Sequence, residues 1–306
     1  MRSVSIWQRP LTALIVIAFW GSATVLTTLA METIGPMAAA FWRWLLALPV
    51  LWAVVFATGQ GRQTWRVLRR RPGPFIFLGL SGMTLLYACQ NLALRYTTAL
   101  NTGLLIEFTP VFILLLAVLW LRERPNRTTL IGVSVGVTGA VLLAVASASS
   151  EQVGSHTGAI AMLGNLLALS AALSAAVYTV YGKHILDDAS PLVVLTLAAT
   201  LGTVFCLPLA LAEGNWWPGA PSTWVYLLAL GLGAGAFGNL WWFSMLSETQ
   251  ASRSGVYLFA TALLAATLAV LVLGEPLTLW LVLGAILILF GVRLVHQQPA
   301  PASEAG

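Results

Sequence analysis

Leu116-Ala117-Val118-Leu119-Trp120-Leu121-Arg122-Glu123 returns 152 positions later as Leu268-Ala269-Val270-Leu271-Val272-Leu273-Gly274-Glu275. The same shift carries Thr97 onto Thr249, Ala99 onto Ala251, Gly103 onto Gly255, Thr109 onto Thr261, Gly132 onto Gly284 and Gly139 onto Gly291. Leu and Ala coincide readily in any apolar chain, whereas glycines and glutamates in register among them mark an internal repeat. With a slightly different offset Pro36 meets Pro191, so the unit is about half the chain, repeated once.

The repeat is built from membrane-like sequence. Of 306 residues 59% are hydrophobic and 8% charged, with a mean hydropathy of +0.89. A soluble domain carries about 25% charged residues to cover its surface, so a soluble enzyme, a nucleic-acid binder and a disordered scaffold are all disfavoured. The net charge of +5 sits between long apolar runs, which reads as membrane-flanking charge. Cys89 and Cys206 each lie inside an apolar run, so neither a disulfide framework nor a thiolate metal site is expected.

About 20 apolar residues cross the hydrocarbon core as a helix. Cut at Gly, Pro and charge punctuation, the chain yields ten spans: 11–30, 37–58, 74–96, 98–121, 128–146, 159–182, 191–212, 222–247, 250–273 and 278–296. Period-two alternation, the mark of barrel strands, is lacking. Arg2 and Arg9 before the first run also fit a secretory leader, but the run is long and its loss would leave nine helices. Counted through ten spans, the inner side holds Arg2, Arg9, Arg62, Arg66, Arg69, Arg70, Arg71, Arg122, Arg124, Arg127, Lys183, Arg253 and Arg293, and the outer side only Arg95. That asymmetry places both termini in the cytoplasm.

Five helices per repeat is an odd number, so the second copy enters the membrane from the opposite side. The expected fold is an all-α membrane protein with ten transmembrane helices in two inverted-topology five-helix repeats. The first repeat takes 1–146 and the second 159–296, with an extracytoplasmic linker over 147–158 and a flexible tail over 297–306. Exchanging the roles of two such halves gives two conformations of similar energy, the basis of alternating access around a midplane site.

Ionisable side chains at bilayer depth normally face a cavity or a partner. Glu107 lies roughly 14 Å below the outer surface and Arg43 roughly 9 Å, at 1.5 Å of rise per residue. They either form a structural ion pair, or Arg43 faces a substrate carboxylate and Glu107 an ammonium or a transported proton. Trp20, Thr24, Thr84, Ser170 and Thr261 share the depth of Glu107, with Tyr87 and Tyr257 a turn to either side. Asn91 and Ser174 extend stripes at helical spacing. Such residues either stitch helices together or line a pocket with aromatic walls and hydroxyls. Gly132-xxx-Gly136 offers a weak dimerisation face, and Gly231, Gly233 and Gly235 a close helix approach. No zinc-protease, nucleophile-elbow, phosphate-loop or CxxC pattern occurs, so no catalytic residue, metal or cofactor is expected.

Phe19-Trp20-Gly21, Phe41-Trp42-Arg43-Trp44, Leu121-Arg122-Glu123-Arg124-Pro125 and Leu273-Gly274-Glu275-Pro276-Leu277 together resemble the drug/metabolite transporter superfamily, and within it the EamA-type transporters. Arg122 departs from the glycine usual at its position. The resemblance implies secondary transport in a bacterial cytoplasmic membrane, usually export of amino acids or other small metabolites, and within the family it looks like the YddG-type amino acid exporters. Arg43, Glu107 and the aromatics suit a zwitterion with an apolar side chain as the small-molecule substrate. Carriers of nucleosides, sugar derivatives or cationic drugs are the alternatives, followed by a non-transporting membrane scaffold. A lipid-acting membrane enzyme would need buried His or Asp clusters that the sequence does not offer.

Overall fold

The computed structural model describes residues 8–97, 102, 105–106, 108–148, 159–261, 264 and 279–296, and every regular element among them is helical. In chain order these are α1 (Gln8–Met31), α2 (Pro36–Ala57), α3 (Gly61–Arg70), α4 (Pro72–Tyr96), α5 (Thr109–Trp120), α6 (Arg127–Ala148), α7 (Ala159–Ile185), α8 (Pro191–Ala212), α9 (Pro221–Glu248), α10 (Ala251–Gly255) and α11 (Leu279–His296). Proline opens α2, α4, α8 and α9, where its missing N–H costs nothing and its fixed φ suits the first turn.

Among the described residues six stretches are long and apolar enough to cross a membrane: Leu14–Met31, Pro36–Ala57, Pro72–Tyr96, Met162–Ile185, Pro191–Ala212 and Pro221–Glu248. Thr109–Trp120 and Val282–Gly291 are shorter apolar helices. Seven residues of the expected span 98–121 and eleven of 250–273 lie outside the described residues, as do most of the linker and all of the tail. The ends of α1, α2, α4, α6, α7, α8, α9 and α11 agree with the expected spans to within three residues, whereas α5 begins at Thr109, well inside 98–121, and α10 stops at Gly255, well short of 273.

α3 was not expected. The Arg62–Arg71 stretch, read as flanking charge, folds into a helix of its own whose Thr64 is buried while Arg62, Trp65, Arg66, Arg69 and Arg70 are exposed. Arg69 Cζ lies 4.7 Å from the Trp65 ring. A short helix with one inward stripe and a cationic face with Trp belongs in the headgroup layer.

Hydrogen bonds fix which helix ends meet. At one end Arg71 Nη1 donates to Asp188 Oδ2 (2.9 Å), Lys183 Nζ to the Leu246 carbonyl (2.8 Å), and the Ala251 N–H to Glu123 Oε1 (2.8 Å). At the other end the hydroxyls of Thr33 and Thr223 bond at 2.6 Å, and the N–H groups of Met37 and Ala38 donate to Glu213 Oε2 at 2.9 and 3.1 Å. The first end gathers α3, Arg122, Arg124, Lys183 and Arg253, while Arg95 lies at the opposite end of α4. Two apolar clusters fill the interior, one around Trp44, Phe75, Trp242 and Phe243, the other around Ile34, Phe41, Trp42 and Leu227. Trp20 and Tyr87 pack against both.

Candidate functional site

Phe41, Trp42, Arg43 and Trp44 are consecutive on α2 and all buried. Arg43 is 5% exposed. Taking a guanidinium out of water costs several kcal/mol unless something compensates it. Its Cζ sits 4.5 Å from the centroid of Tyr87, on α4, and 6.0 Å from that of Trp44. Such dry cation–π contacts offset up to about 2 kcal/mol. Trp44 in turn meets Tyr87 edge-on at 5.8 Å. Among the described residues Arg43 Nε finds no hydrogen-bond acceptor, and neither does the indole N–H of Trp44 or of Trp242. Buried donors are paired in nearly all folded proteins, which sets these three apart among the described residues.

Trp20 on α1 packs against both apolar clusters. Its ring lies 5.3 Å from Trp242 and its Nε1 donates to the Ala234 carbonyl at 3.1 Å. Tyr257, in the 3₁₀ turn Val256–Leu258 after α10, packs against the same apolar cluster. Gly231 on α9 lies against the α2 backbone, where an added Cβ would stand 2.8 Å from the Arg43 carbonyl. α9 therefore braces α2 directly behind the arginine, the close approach that the sequence led us to expect of that glycine.

Two π-helical segments flank this interior. One covers Gly79–Leu85 within α4, the other Ala229–Gly238 within α9. π-turns are rare and concentrate at functional sites, because they leave carbonyls out of the ordinary ladder. Here side chains claim them: the Thr84 hydroxyl donates to the Gly79 carbonyl (3.2 Å) and Asn239 Nδ2 to the Ala234 carbonyl (2.8 Å), each reaching back five residues. Asn239 also accepts the Tyr178 hydroxyl proton at 3.3 Å.

The expected site residues divide accordingly. Arg43 and Tyr87 touch, and Trp20 and Tyr257 join the same core. Thr84 is buried and its hydroxyl is engaged by the π-turn. Asn91 donates to the Pro36 carbonyl at 2.8 Å, holding the start of α2, while its Oδ1 is buried without a partner among the described residues. The Ser174 hydroxyl donates to the Ser81 carbonyl at 2.9 Å, tying α7 to the π-segment of α4. Thr261 folds its hydroxyl back onto the Leu258 carbonyl at 2.6 Å. Ser170 is exposed and bonds within its own helix to Leu166, so it is not brought to the others. Glu107 and the Thr24 side chain lie outside the described residues. Trp44, Trp242, Tyr178 and Asn239 were not among the chosen site residues. The Trp-Arg-Trp run and the Asn239/Trp242 spacing were the available signals.

Gly132 and Gly136, singled out for a dimer contact, are used inside the chain. The Gly132 carbonyl would stand 2.7 Å from a Cβ on Gly291, and a Cβ on Gly136 would meet the Phe259 ring at 2.5 Å.

Against this geometry the comparisons with known proteins are specific. The sequence matches the profile of the EamA-like transporter family over residues 10–145 and again over 162–296. An uncharacterized transporter of Archaeoglobus fulgidus is 31% identical over 282 residues, covering 90% of this chain and 92% of its own. A Streptantibioticus cattleyicolor protein named a probable terminal-alkyne amino-acid exporter is 29% identical over 299 residues, covering 97% and 94%. A solved crystal structure, 20% identical, superposes with a TM-score of 0.77 over 94% of this chain and 95% of that one, a likeness of fold.

Proposed function

This chain belongs to the EamA-like transporter family, a multi-pass integral membrane protein of the drug/metabolite transporter superfamily, and from that premise we propose that it exports amino acids, aromatic ones included. Transport runs by alternating access around the Arg43 cluster. The scaffold is ten transmembrane helices in two inverted five-helix repeats, over 1–146 and 159–296, with cytoplasmic termini. Three observations support that scaffold. Two separate stretches match the family profile. The two π-segments fall on corresponding helices, Thr84 and Asn239 standing 155 positions apart like Pro36 and Pro191. The basic residues gather at one end of the bundle, cytoplasmic by the positive-inside rule.

The observation that carries the substrate reading is the group of unpaired buried donors on Arg43, Trp44 and Trp242. A substrate carboxylate satisfies the guanidinium with a charge-assisted bond, and Trp20, Tyr87 and Tyr257 supply an apolar surface for its side chain. Glu107 is assigned the ammonium group or a proton. Thr84, Asn91, Ser174 and Thr261 are assigned supporting roles as polar residues, as is Thr24 from its place in the sequence, while Ser170, exposed on its own helix, is given none. The amino-acid exporter among the relatives supports the same substrate class.

Counterflow in proteoliposomes, with a labelled aromatic amino acid challenged by amino acids, nucleosides and cations, tests it. Competition by amino acids is expected, and Arg43→Gln should cut flux at least about tenfold, since an unpaired buried charge partner costs 2–5 kcal/mol. Amino-acid flux that survives Arg43→Gln, or competition by cations alone, sinks this reading.

A further inference from the structure

Among the described residues, Arg122 is the one non-glycine residue with a positive φ, 53°. That left-handed conformation is disfavoured for any residue with a Cβ, and the repeat carries Gly274 at the corresponding position, 152 residues on. The conformation ends the helix, with the Glu123 N–H donating to the Ala117 carbonyl at 3.1 Å, a position where glycine is the usual residue and arginine stands here. Arg122 ends α5 on the wall of a groove of about 600 Å³ between α4, α5 and α7, lined by Phe77, Leu119, Trp120, Tyr181 and His184. The groove is cationic at the rim and apolar within. Leu119 (70% exposed), Trp120 (51%) and Phe77 (41%) open it sideways, toward the bilayer rather than the bundle interior. Of the neighbouring carboxylates, Glu123 accepts the N–H groups of Ala251 and Ser252, Asp188 pairs with Arg71, and Asp187 interacts with Lys183. Arg122 itself makes no ion pair among the described residues.

We propose that this groove is a binding site for an anionic phospholipid of the leaflet at the basic end. Arg122 and His184 meet the headgroup phosphate, and the proximal acyl chain lies along Phe77, Leu119, Trp120 and Tyr181. On the orientation proposed above this is the cytoplasmic leaflet. The charge argues for the occupant. A guanidinium at the headgroup level attracts anionic lipid specifically, and the lateral opening admits a chain that a free anion lacks.

The test is native mass spectrometry of the purified full-length protein, delipidated in detergent and offered phosphatidylglycerol or phosphatidylcholine. Phosphatidylglycerol should be retained in preference. Arg122→Gly, a change the backbone at this position favours, should lower that retention about fivefold without altering phosphatidylcholine. His184→Ala should lower it less. Equal retention of the two lipids, or phosphatidylglycerol retention unchanged by Arg122→Gly, overturns the proposal. So does displacement by millimolar inorganic phosphate, which would make the occupant a free anion. Since the readout is lipid held by folded protein, failure to transport any tested substrate leaves this outcome interpretable on its own.

Discussion

The two long seams that join helices early in the chain to helices late in it are built on opposite principles. Along α2 and α8 the contact is tied by directional bonds. Ser190 caps α8 by accepting the Val193 N–H and donates to Gln60 beyond the end of α2. Trp52 Nε1 donates to Thr200 at 3.1 Å midway, and Glu213 takes the first N–H groups of α2 at the far end. Every residue from Leu192 to Ala199 is buried. Along α6 and α11 no side-chain hydrogen bond crosses among the described residues. A Cβ on Gly139 would stand 2.7 Å from the Gly284 carbonyl, and one on Gly291 2.7 Å from that of Gly132. The outer faces of this second pair, Leu130, Ile131, Ile286, Leu289 and Phe290, are exposed apolar surface suited to lipid. Bonds at both ends and the middle fix a register, whereas bare backbone contact holds by dispersion alone and tolerates sliding. On the proposed transport cycle the α2–α8 seam is the strut and the α6–α11 seam is the one with freedom to slip.

The largest expected effect tests the second seam. Gly139→Leu drives a side chain into backbone that cannot yield, at a cost of about 1–3 kcal/mol or more, and should abolish the monodisperse peak in size-exclusion chromatography. A normal peak with normal counterflow would mean that the seam is looser than its geometry. Next in size, Glu213→Ala removes the clasp on α2 and should lower stability by about 1–2 kcal/mol, read as a drop in thermal midpoint, with counterflow per folded molecule unchanged. A change in transport at unchanged stability would make α2–α8 a moving part instead. Smallest is Glu123→Gln at the α5–α10 contact. There the amide oxygen keeps the Ala251 N–H, while the Ser252 N–H loses the acceptor it had in Oε2, so part of the clasp survives and the thermal shift should stay below that of Glu213→Ala. A larger shift would rank α5–α10 as the stronger tie.

How far the sequence went depends on what kind of information each feature needs. Apolar run length and proline placement are local, so the ends of α2 and α8 were legible to within a residue or two. Residue patterning also singled out Arg43, since a lone cation in an apolar run has few explanations, and Tyr87 beside it. The π-segments were not legible. Their signal is glycine spacing around Gly79 and Gly231, which reads equally as close packing, and only the coordinates put the Thr84 hydroxyl on a carbonyl five residues back. Ser170 illustrates the converse, because depth in the membrane is set by position along a helix but facing is set by its neighbours. Trp44 was passed over for a related reason: its ring packs into the core as any tryptophan would, and the unpaired indole N–H emerges only from the surrounding acceptors. The use of Gly132 and Gly136 within the chain likewise depended on where α11 lay.

The glycine seam has a consequence for ancestry. Gly132 and Gly139 correspond, at the 152-residue shift, to Gly284 and Gly291. Gly139 meets Gly284 and Gly132 meets Gly291. Each partner thus offers the other the same patch of surface, the rule for an isologous dimer. A helix with this patch is complementary to itself when a second copy lies antiparallel beside it. On the proposed five-helix repeat, a single unit inserted both ways round in the membrane carries both sides of the contact.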